Sequence, residues 1–519
     1  MKQPPSIFND VIGPVLTGPS SSHTAGPCRI GLIGRQLCGN VSPQFIMVRF
    51  DRSGSFASSY NLQGTDRGLV GGLLGMPPDD LRLHFALDEA RKQHLEVSFL
   101  VDDFEADHPN TAKIKLLTDR GETINYTGKS TGGGMFQVTE INEFPVDIVG
   151  DCYELLIICE PSSASKIKAA LPPEGILNIN QAGMGGKLLI NAKYTHRVNT
   201  DAFNAALEQD THGWFRQIDP VLPILSPANC SIPFRTNAEM MEWLDGRGCQ
   251  CWEAAVYYEA RRGGISEKDV FREMGRIAAI MEKSVYDGFN KAKDGQIIKA
   301  RAAHYRQQIG KSHMIPAGAM DTAIAWTMAV VEVNSRYGVV VAAPTAGACG
   351  VLPGAILGTA EHLGLSGEEK TKALLTAGLI GLFIAEQATF SSELCGCQAE
   401  CGAASSMAAA GLVQLAGGSP EQCAGAASMA MQNVLGMICD SVADLVEVPC
   451  LGKNVLGTVN AIACANMALA GVKEIIPLDE AIQSMYSVGQ MIPSELCCTG
   501  RGGLAITETS KRIKKELGH

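Results

Sequence analysis

The segment SSELCGCQAECGAAS, residues 391–405, sets Cys395, Cys397 and Cys401 within seven positions. Thiols at that density suit a disulfide staple, a zinc site, an iron–sulfur cluster or plain helix packing. The chain has no CxxC, which weakens zinc-ribbon and thioredoxin-like readings. Cys397 in GCQAE, Cys439 in MICDSV and Cys450 in VEVPCLGKN each stand where a helix is predicted to begin or end, beside Gly, Asp or Pro. Helix N-terminal N–H groups and irregular backbone stabilise a charged sulfur there. Cys423 and Cys464 fall inside helical runs, where a thiol behaves as a small hydrophobe. By itself, CGCQAEC reads equally well as a helix start with one cysteine facing the core.

Two other stretches offer binding chemistry. GPSSSHTAGP (18–27) supplies Ser20, Ser21, Ser22, His23 and Thr24, a run of hydroxyls and backbone N–H groups suited to a carboxylate or another small anion. A serine-rich turn capping a helix is the competing explanation. APTAGACGVLPG (343–354) offers Thr345 as a donor, with Gly347 and Gly350 permitting close backbone approach to a ligand. It reads equally as a helix-to-helix turn. STGGG (130–134) is too short for a phosphate loop.

These stretches must be positioned by two unlike halves. In the first, FIMVRF (45–50), LEVSFLV (95–101) and AKIKLL (112–117) read as strands from their branched residues and alternation. Residues 154–194 read β-α-β-β, a small module whose helix opens on a serine N-cap. Four prolines punctuate a connector at 196–233. From about residue 235 the chain becomes helical, with runs predicted at 237–244, 267–292, 319–335, 370–389, 403–415, 420–437 and 455–472. RRGG (261–264) reads as a helix stop. The expected fold is therefore an α/β N-terminal half followed by an all-α C-terminal half.

Composition narrows the classes. A chain of 519 residues exceeds one core, so two or three domains are expected. Aromatics are only 6%, so Ala, Gly, Val, Leu and Met must fill the contacts. A net charge of −11 argues against nucleic-acid binding. MKQPPSIFND lacks the pattern of a signal peptide. The most apolar run, 455–472, carries Asn460 and Asn466 and reads as a buried core helix, not a membrane span. Seventeen cysteines, an odd count, fit a reducing cytoplasm better than a disulfide framework.

Taken together the motifs resemble the iron–sulfur-dependent L-serine dehydratase (L-serine ammonia-lyase) family. SIFNDVIGPVLTGPSSSHTAGPCRIG, HPNT (108–111) and STGGGMFQVTEIN look like its β portion. MDTAIAWTMAVVEVNSRYGVVVAAPTAGACGVLPG, GCQAECGAASSMAAAGLVQLAGG, CDSVADLVEVPCLGKNVLG and CTGRGGLAIT look like its α portion. The resemblance implies four segments: a β-type α/β domain (1–149), an ACT-like module (150–195), a connector (196–234) and an all-α catalytic domain (235–519). It implies a [4Fe–4S] cluster on Cys397, Cys439 and Cys450, with Cys395 and Cys401 as bystanders. The fourth iron would be an open Lewis acid, as in aconitase-like hydro-lyases. It further implies an oxygen-sensitive cytoplasmic enzyme of amino-acid degradation, working as a homodimer on a small amino acid, with no nucleic-acid or membrane partner.

The residues implied for catalysis are His23 and Ser22. Ser20, Ser21, Thr24, Gln63, Asn110, Thr345, Ala346, Gly347 and Lys453 would bind substrate. Three departures from the family pattern stand out. LQGTD has Gln63 where the family has a histidine, a candidate base, and glutamine accepts no proton at neutral pH. LGKN has Lys453 in place of arginine, a point donor instead of a bidentate clamp. Asp444 would bring a negative charge near a cluster ligand unless it faces solvent. These keep open a second substrate, another small hydroxy or thiol amino acid. More remote is a non-catalytic iron–sulfur amino-acid sensor. The tail TETSKRIKKELGH has no terminal cysteine to cap the fourth iron.

Overall fold

The computed structural model describes residues 3–200, 214–291 and 293–518. Residues 201–213 of the expected connector, and Ala292, where one helix was expected to end, lie outside the described residues.

The first strand is β1 (Val15–Thr17). The expected strands follow as β2 (Pro43–Asp51), β3 (Glu96–Asp102) and β4 (Thr111–Thr118), joined by β5 (Thr123–Gly132), β6 (Met135–Ile141) and β7 (Phe144–Ile148). They form one sheet in the order β3-β2-β4-β5-β6-β7. The β2–β3 pair is parallel and the other neighbours are antiparallel. Parallel pairing needs a long crossover, supplied here by helices between residues 55 and 92. The helices Gly26–Leu37 and Thr65–Leu73 pack tightly together, which glycine alone permits. A Cβ on Gly72 would stand 2.0 Å from the Cys28 carbonyl oxygen, and one on Gly31 would stand 2.2 Å from that of Leu69.

The β-α-β-β pattern forms β8 (Tyr153–Cys159), the helix Ala164–Ala170, β9 (Ile176–Met184) and β10 (Lys187–Tyr194). Leu155, Ile157 and Ile190 pack against Ile167 of the helix. Two details differ from expectation. The connector contributes an edge strand, β11 (Trp214–Ile218), giving an antiparallel sheet β11-β8-β10-β9. Its aromatic and branched residues suit a strand, but nearby prolines obscured it. Ser163, before the helix, lies in the helical region and makes no side-chain cap, because the chain enters the helix from a turn.

In the C-terminal half the expected helices form with ends shifted by a few residues, and Cys251–Gly263, Leu478–Met491 and Glu508–Glu516 are additional. RRGG does end a helix: Gly264 follows Cys251–Gly263 with φ 62°. At the centre lies Cys401–Leu415, buried along nearly all its length. Its Ala, Gly and Ser side chains let the helices Gly367–Gln387, Pro420–Gln432 and Cys450–Leu469 approach on several sides. The Cys450–Leu469 helix is not wholly buried: Leu456 and Met467 face outward. Among the described residues no helix is long and apolar enough to cross a membrane.

The C-terminal half is not purely helical. β12 (Val339–Val341) pairs antiparallel with β1, Val15 opposite Val341. Three residues carry too little periodicity to be read in isolation. The N-terminal segment also crosses over: Ile7, Phe8 and Val11 pack into the helical core. The Ile7 N–H donates to the buried carboxylate of Glu259 (2.8 Å). The halves are thereby stitched together at β1–β12, and the serine-rich segment comes directly after that seam.

Candidate active site

GPSSSHTAGP is the entry to a helix. Ser21–Ala25 form a wide turn that runs on into Gly26–Leu37, and the Ser20 hydroxyl caps it by accepting from His23 N (3.1 Å). All five residues from Ser20 to Thr24 are buried. Burial at a domain seam is what makes the segment more than a cap. Ser21, Ser22, His23 and Thr24 each find a partner from elsewhere in the chain, while Ser20 bonds within the segment.

Ser21 Oγ accepts from the Ala346 N–H (3.1 Å), linking the turn to the 343–350 loop. Asn454 holds that loop, donating to Gly347 O (2.7 Å) and accepting from Gly350 N (3.0 Å). Thr345 is buried beside Glu400. Ser22 Oγ donates to Glu393 Oε1 (2.7 Å), and Ser391 Oγ donates to Glu393 Oε2 (2.7 Å). His23 sends Nδ1 toward the same carboxylate (3.4 Å) and Nε2 toward Ser55 Oγ (3.1 Å). Thr24 Oγ1 donates to Gln63 O (2.8 Å).

Burial lowers the basicity of His23, though the nearby Glu393 charge partly opposes this. Burial also pushes the Glu393 carboxyl up. His23 and the Ser22 and Ser391 hydroxyls outweigh that effect, and the group ends below its ordinary value. The stable arrangement is an ionised Glu393 facing a neutral imidazole.

The thiols converge on the other wall. Ligand atoms of Cys397, Glu400 and Cys439 lie within 4.8 Å of one another. Cys397 opens a short helical turn and Cys450 is the first residue of Cys450–Leu469, both at helix starts as expected. Cys439 lies in extended chain that bridges to Cys497. Its thiol is hydrogen-bonded to those of Cys397 and Cys498; these bonds, helped by the Lys453 ammonium, hold it well below its ordinary value despite burial. Cys450 sits somewhat apart, next to Ser441 Oγ (3.9 Å). Cys395 and Cys401 are buried; Cys395 packs against Gly489 and Cys401 heads the central helix.

Lys453 donates to Ile438 O (2.7 Å), Asp440 Oδ1 (3.0 Å) and Cys397 Sγ (3.7 Å), so its three protons point at the thiol side of the site. Gln63 Nε2 donates to Asp444 O (2.9 Å) and lies 3.8 Å from Cys498 Sγ. Asp444 is buried, not solvent-facing, and pairs with Lys514 of the C-terminal helix. Burial pushes the Glu400 carboxyl up to about 8.

His108 and Asn110 lie in the turn that leads into β4, an interior strand of the six-stranded sheet. The Ser55 N–H donates to Pro109 O (2.9 Å), which brings this turn against Ser55. Both amide atoms of Asn110, and Nε2 of His108, are buried without a hydrogen-bond partner. Buried orphans of this kind are costly unless a ligand or water meets them. A cavity of about 830 Å³ lies elsewhere, lined by Asp10, Asp151, Lys193 and Arg262 among others.

Four participants were absent from the sequence reading: Ser55, Glu393, Glu400 and Cys498. Glu393 and Glu400 sit inside the cysteine segment itself, so carboxylates flanking thiols were a usable signal. Ser55 and Cys498 meet through Ser55 Oγ donating to Cys498 O (2.9 Å), across 443 positions. No local pattern announces such a contact.

Comparison with known proteins agrees with this geometry. Residues 246–505 match the family model described as serine dehydratase alpha chain. The chain is 38% identical to the probable L-serine dehydratase alpha chain of Bacillus subtilis over 290 residues, 55% of this chain and 95% of that protein. Against the probable beta chain from the same organism it is 43% identical over 153 residues, 30% of this chain and 67% of that protein. Similarity to the L-serine dehydratase of Streptomyces coelicolor runs nearly end to end: 28% identity over 498 residues, 94% of this chain and 96% of the relative. The two portions of the sequence thus correspond to alpha and beta chains joined in one polypeptide, and the protein belongs to the L-serine dehydratase family.

Proposed function

We propose that the chain is a [4Fe–4S]-dependent lyase that dehydrates and deaminates L-serine to pyruvate and ammonia. The observation that carries this reading is the convergence of buried thiols on a buried Ser–His–Glu network at the seam of the two portions. The donor set fits the cluster. Cys397, Cys439 and Cys450 would hold it; thiolates are the usual ligands of such clusters. The spread of the three sulfurs, with Cys450 outside the tight group, suits a body larger than a single ion. Lys453 would offset thiolate charge, a role its contacts favour over carboxylate recognition. When bound, the cluster supplies Lewis acidity for the departing hydroxyl.

The protein's own groups do the rest. Asn110, with both amide atoms unpaired, and Thr345 would meet the substrate's polar groups. Ser20, Ser21, Ala346 and Gly347 shape the wall between them, and Thr24 fixes the Gln63 backbone. His23 and Ser22, against Glu393, would manage the Cα proton. The aminoacrylate released then becomes an imine and hydrolyses to pyruvate and ammonia. Under the same reading the four-stranded unit is ACT-like, and the enzyme is a cytoplasmic homodimer.

Gln63 favours a second reading on the same scaffold, a different small hydroxy or thiol amino acid. Its amide is engaged with Asp444 O and Cys498 Sγ and offers no base. An anaerobic assay for α-keto acid release from a panel of small amino and hydroxy acids, with iron and sulfide analysis, tests both. Pyruvate from L-serine by brown, iron-loaded protein is expected. Colourless protein without iron after anaerobic purification would overturn the cluster. Turnover of another acid with none of serine would select the second reading.

A further inference from the structure

Within the proposed lyase reading, on which this inference rests, the position of Ser55 changes what His23 can do. His23 Nε2 faces Ser55 Oγ at 3.1 Å, while Nδ1 faces Glu393 at 3.4 Å. The imidazole is completely buried, and its edge lies against Phe56. Ser55 Oγ has a second partner, Cys498 O at 2.9 Å, and that residue's thiol belongs to the group around Cys439. The Ser55 hydroxyl stands between the histidine and the cysteine wall. The orphaned Asn110 amide follows Pro109, whose carbonyl accepts from Ser55 N. The Ser55 backbone is thus tied to the turn that carries the unpaired Asn110 amide.

We propose that Ser55 is the residue that takes the Cα proton, and that His23 and Glu393 act through it as a relay. Nδ1–H of the neutral imidazole faces Ser22 Oγ (3.3 Å) and the Glu393 carboxylate behind it (3.4 Å), which leaves Nε2 bare; the Ser55 hydroxyl turns from Cys498 O toward it as the relay engages. In the step, the Cα–H bond breaks and its proton goes to Ser55 Oγ while the serine's own proton passes to His23 Nε2. The electron pair left on Cα becomes the C=C bond as the Cβ–O bond breaks. The hydroxide released takes a proton from Ser55, which recovers its own from His23 Nε2, and leaves as water, so the relay returns to its starting state. Glu393 is a positioning residue that stabilises the transient imidazolium, the third member of a nucleophile–base–orienter arrangement used here for proton transfer. Ser22 and Ser391, each donating to Glu393 at 2.7 Å, hold the carboxylate rigid.

The test uses the full-length, anaerobically purified, iron-loaded enzyme with L-serine. S55A and E393Q should each lower kcat by about 10²-fold or more, the usual range for losing acid–base help. KM, iron content and visible absorbance should stay close to wild type. E393D should recover part of the loss, and S55A/E393Q should be no slower than the slower single variant, because the groups act as a unit. Wild-type kcat in S55A overturns the relay. So does a defect in E393Q that appears in KM or iron content and not in kcat, or one that E393D fails to relieve. Wild-type enzyme that releases no pyruvate from L-serine overturns the functional reading, and the relay with it; turnover by wild type with unaffected variants overturns the relay alone.

Discussion

Two pairs of buried, hydrogen-bonded thiols in the helical half invite comparison: Cys251 with Cys423, and Cys397 with Cys439. Cys423 lies within a regular helix, Cys251 begins another, and both belong to the apolar core. Around Cys397 and Cys439 the backbone is a short turn and an extended strand, with Lys453, Glu400 and a further thiol at hand. Proximity of sulfurs is common to both. What differs is charge and backbone irregularity, the features that make a thiolate rather than a packed thiol. Counting cysteines cannot separate them, but their surroundings do.

The largest expected effect comes from breaking that contrast directly. C397A or C439A should abolish iron content, brown colour and turnover, whereas C423A should keep all three and lose only about 1–2 kcal/mol of stability, an ordinary core truncation. Iron analysis with denaturant unfolding measures both. Equal iron loss in C423A would erase the distinction.

Lys453 is the next lever. Replacing it by methionine keeps the stem and removes the ammonium beside Cys397 and Asp440. Iron retention on dialysis should fall several-fold compared with K453R, which keeps the charge. Similar retention in the two variants would show that packing alone matters there.

A smaller effect tests what closes the site from behind. Asp444 pairs with Lys514, and the Ala443 N–H donates to Ser510 Oγ (2.9 Å), so the Glu508–Glu516 helix docks next to the thiol wall. D444N should loosen that helix, giving faster proteolysis after residue 506 and a global loss of about 1–3 kcal/mol, since Lys514 is partly exposed and water replaces some of the pairing.

The smallest effect lies outside both cysteine neighbourhoods. Burial raises the Glu154 carboxyl to about 7, against an ordinary 4.5, despite Lys193 at 3.6 Å and Asn191 donating at 2.8 Å. The folded state therefore binds this proton more tightly than the unfolded chain does. Its contribution is fully present below about pH 4.5 and is lost as pH rises through about 7. E154Q should flatten the decline of melting temperature across that window; an unchanged slope would assign the decline to other groups.

Much of the framework was legible. β2, β3 and β4, the β-α-β-β order and the central helices follow from alternation, helical periodicity and breakers such as RRGG. So does the placing of Cys397 and Cys450 at helix starts. β11 and β12 were not, because short strands beside prolines or between helices have no period to read. The serine cap expected for the Ala164–Ala170 helix is missing for a related reason, as the backbone at Ser163 is set by the preceding turn.

The sequence by itself determined the element types, the unusually small-residue core and the motifs that mark the family. Side-chain chemistry and local periodicity are properties of neighbouring residues. Tertiary structure alone decided that His23 would face Ser55 and Glu393, that Cys498 would join Cys439, and that Asp444 would be buried against Lys514. Those contacts span from 32 to 370 positions. The contact of His23 with Glu393 joins the two halves, which are also held by β1 pairing with β12 and by the first residues threading into the helical core. A site assembled at a seam is specified by packing, and packing is not written in any one segment.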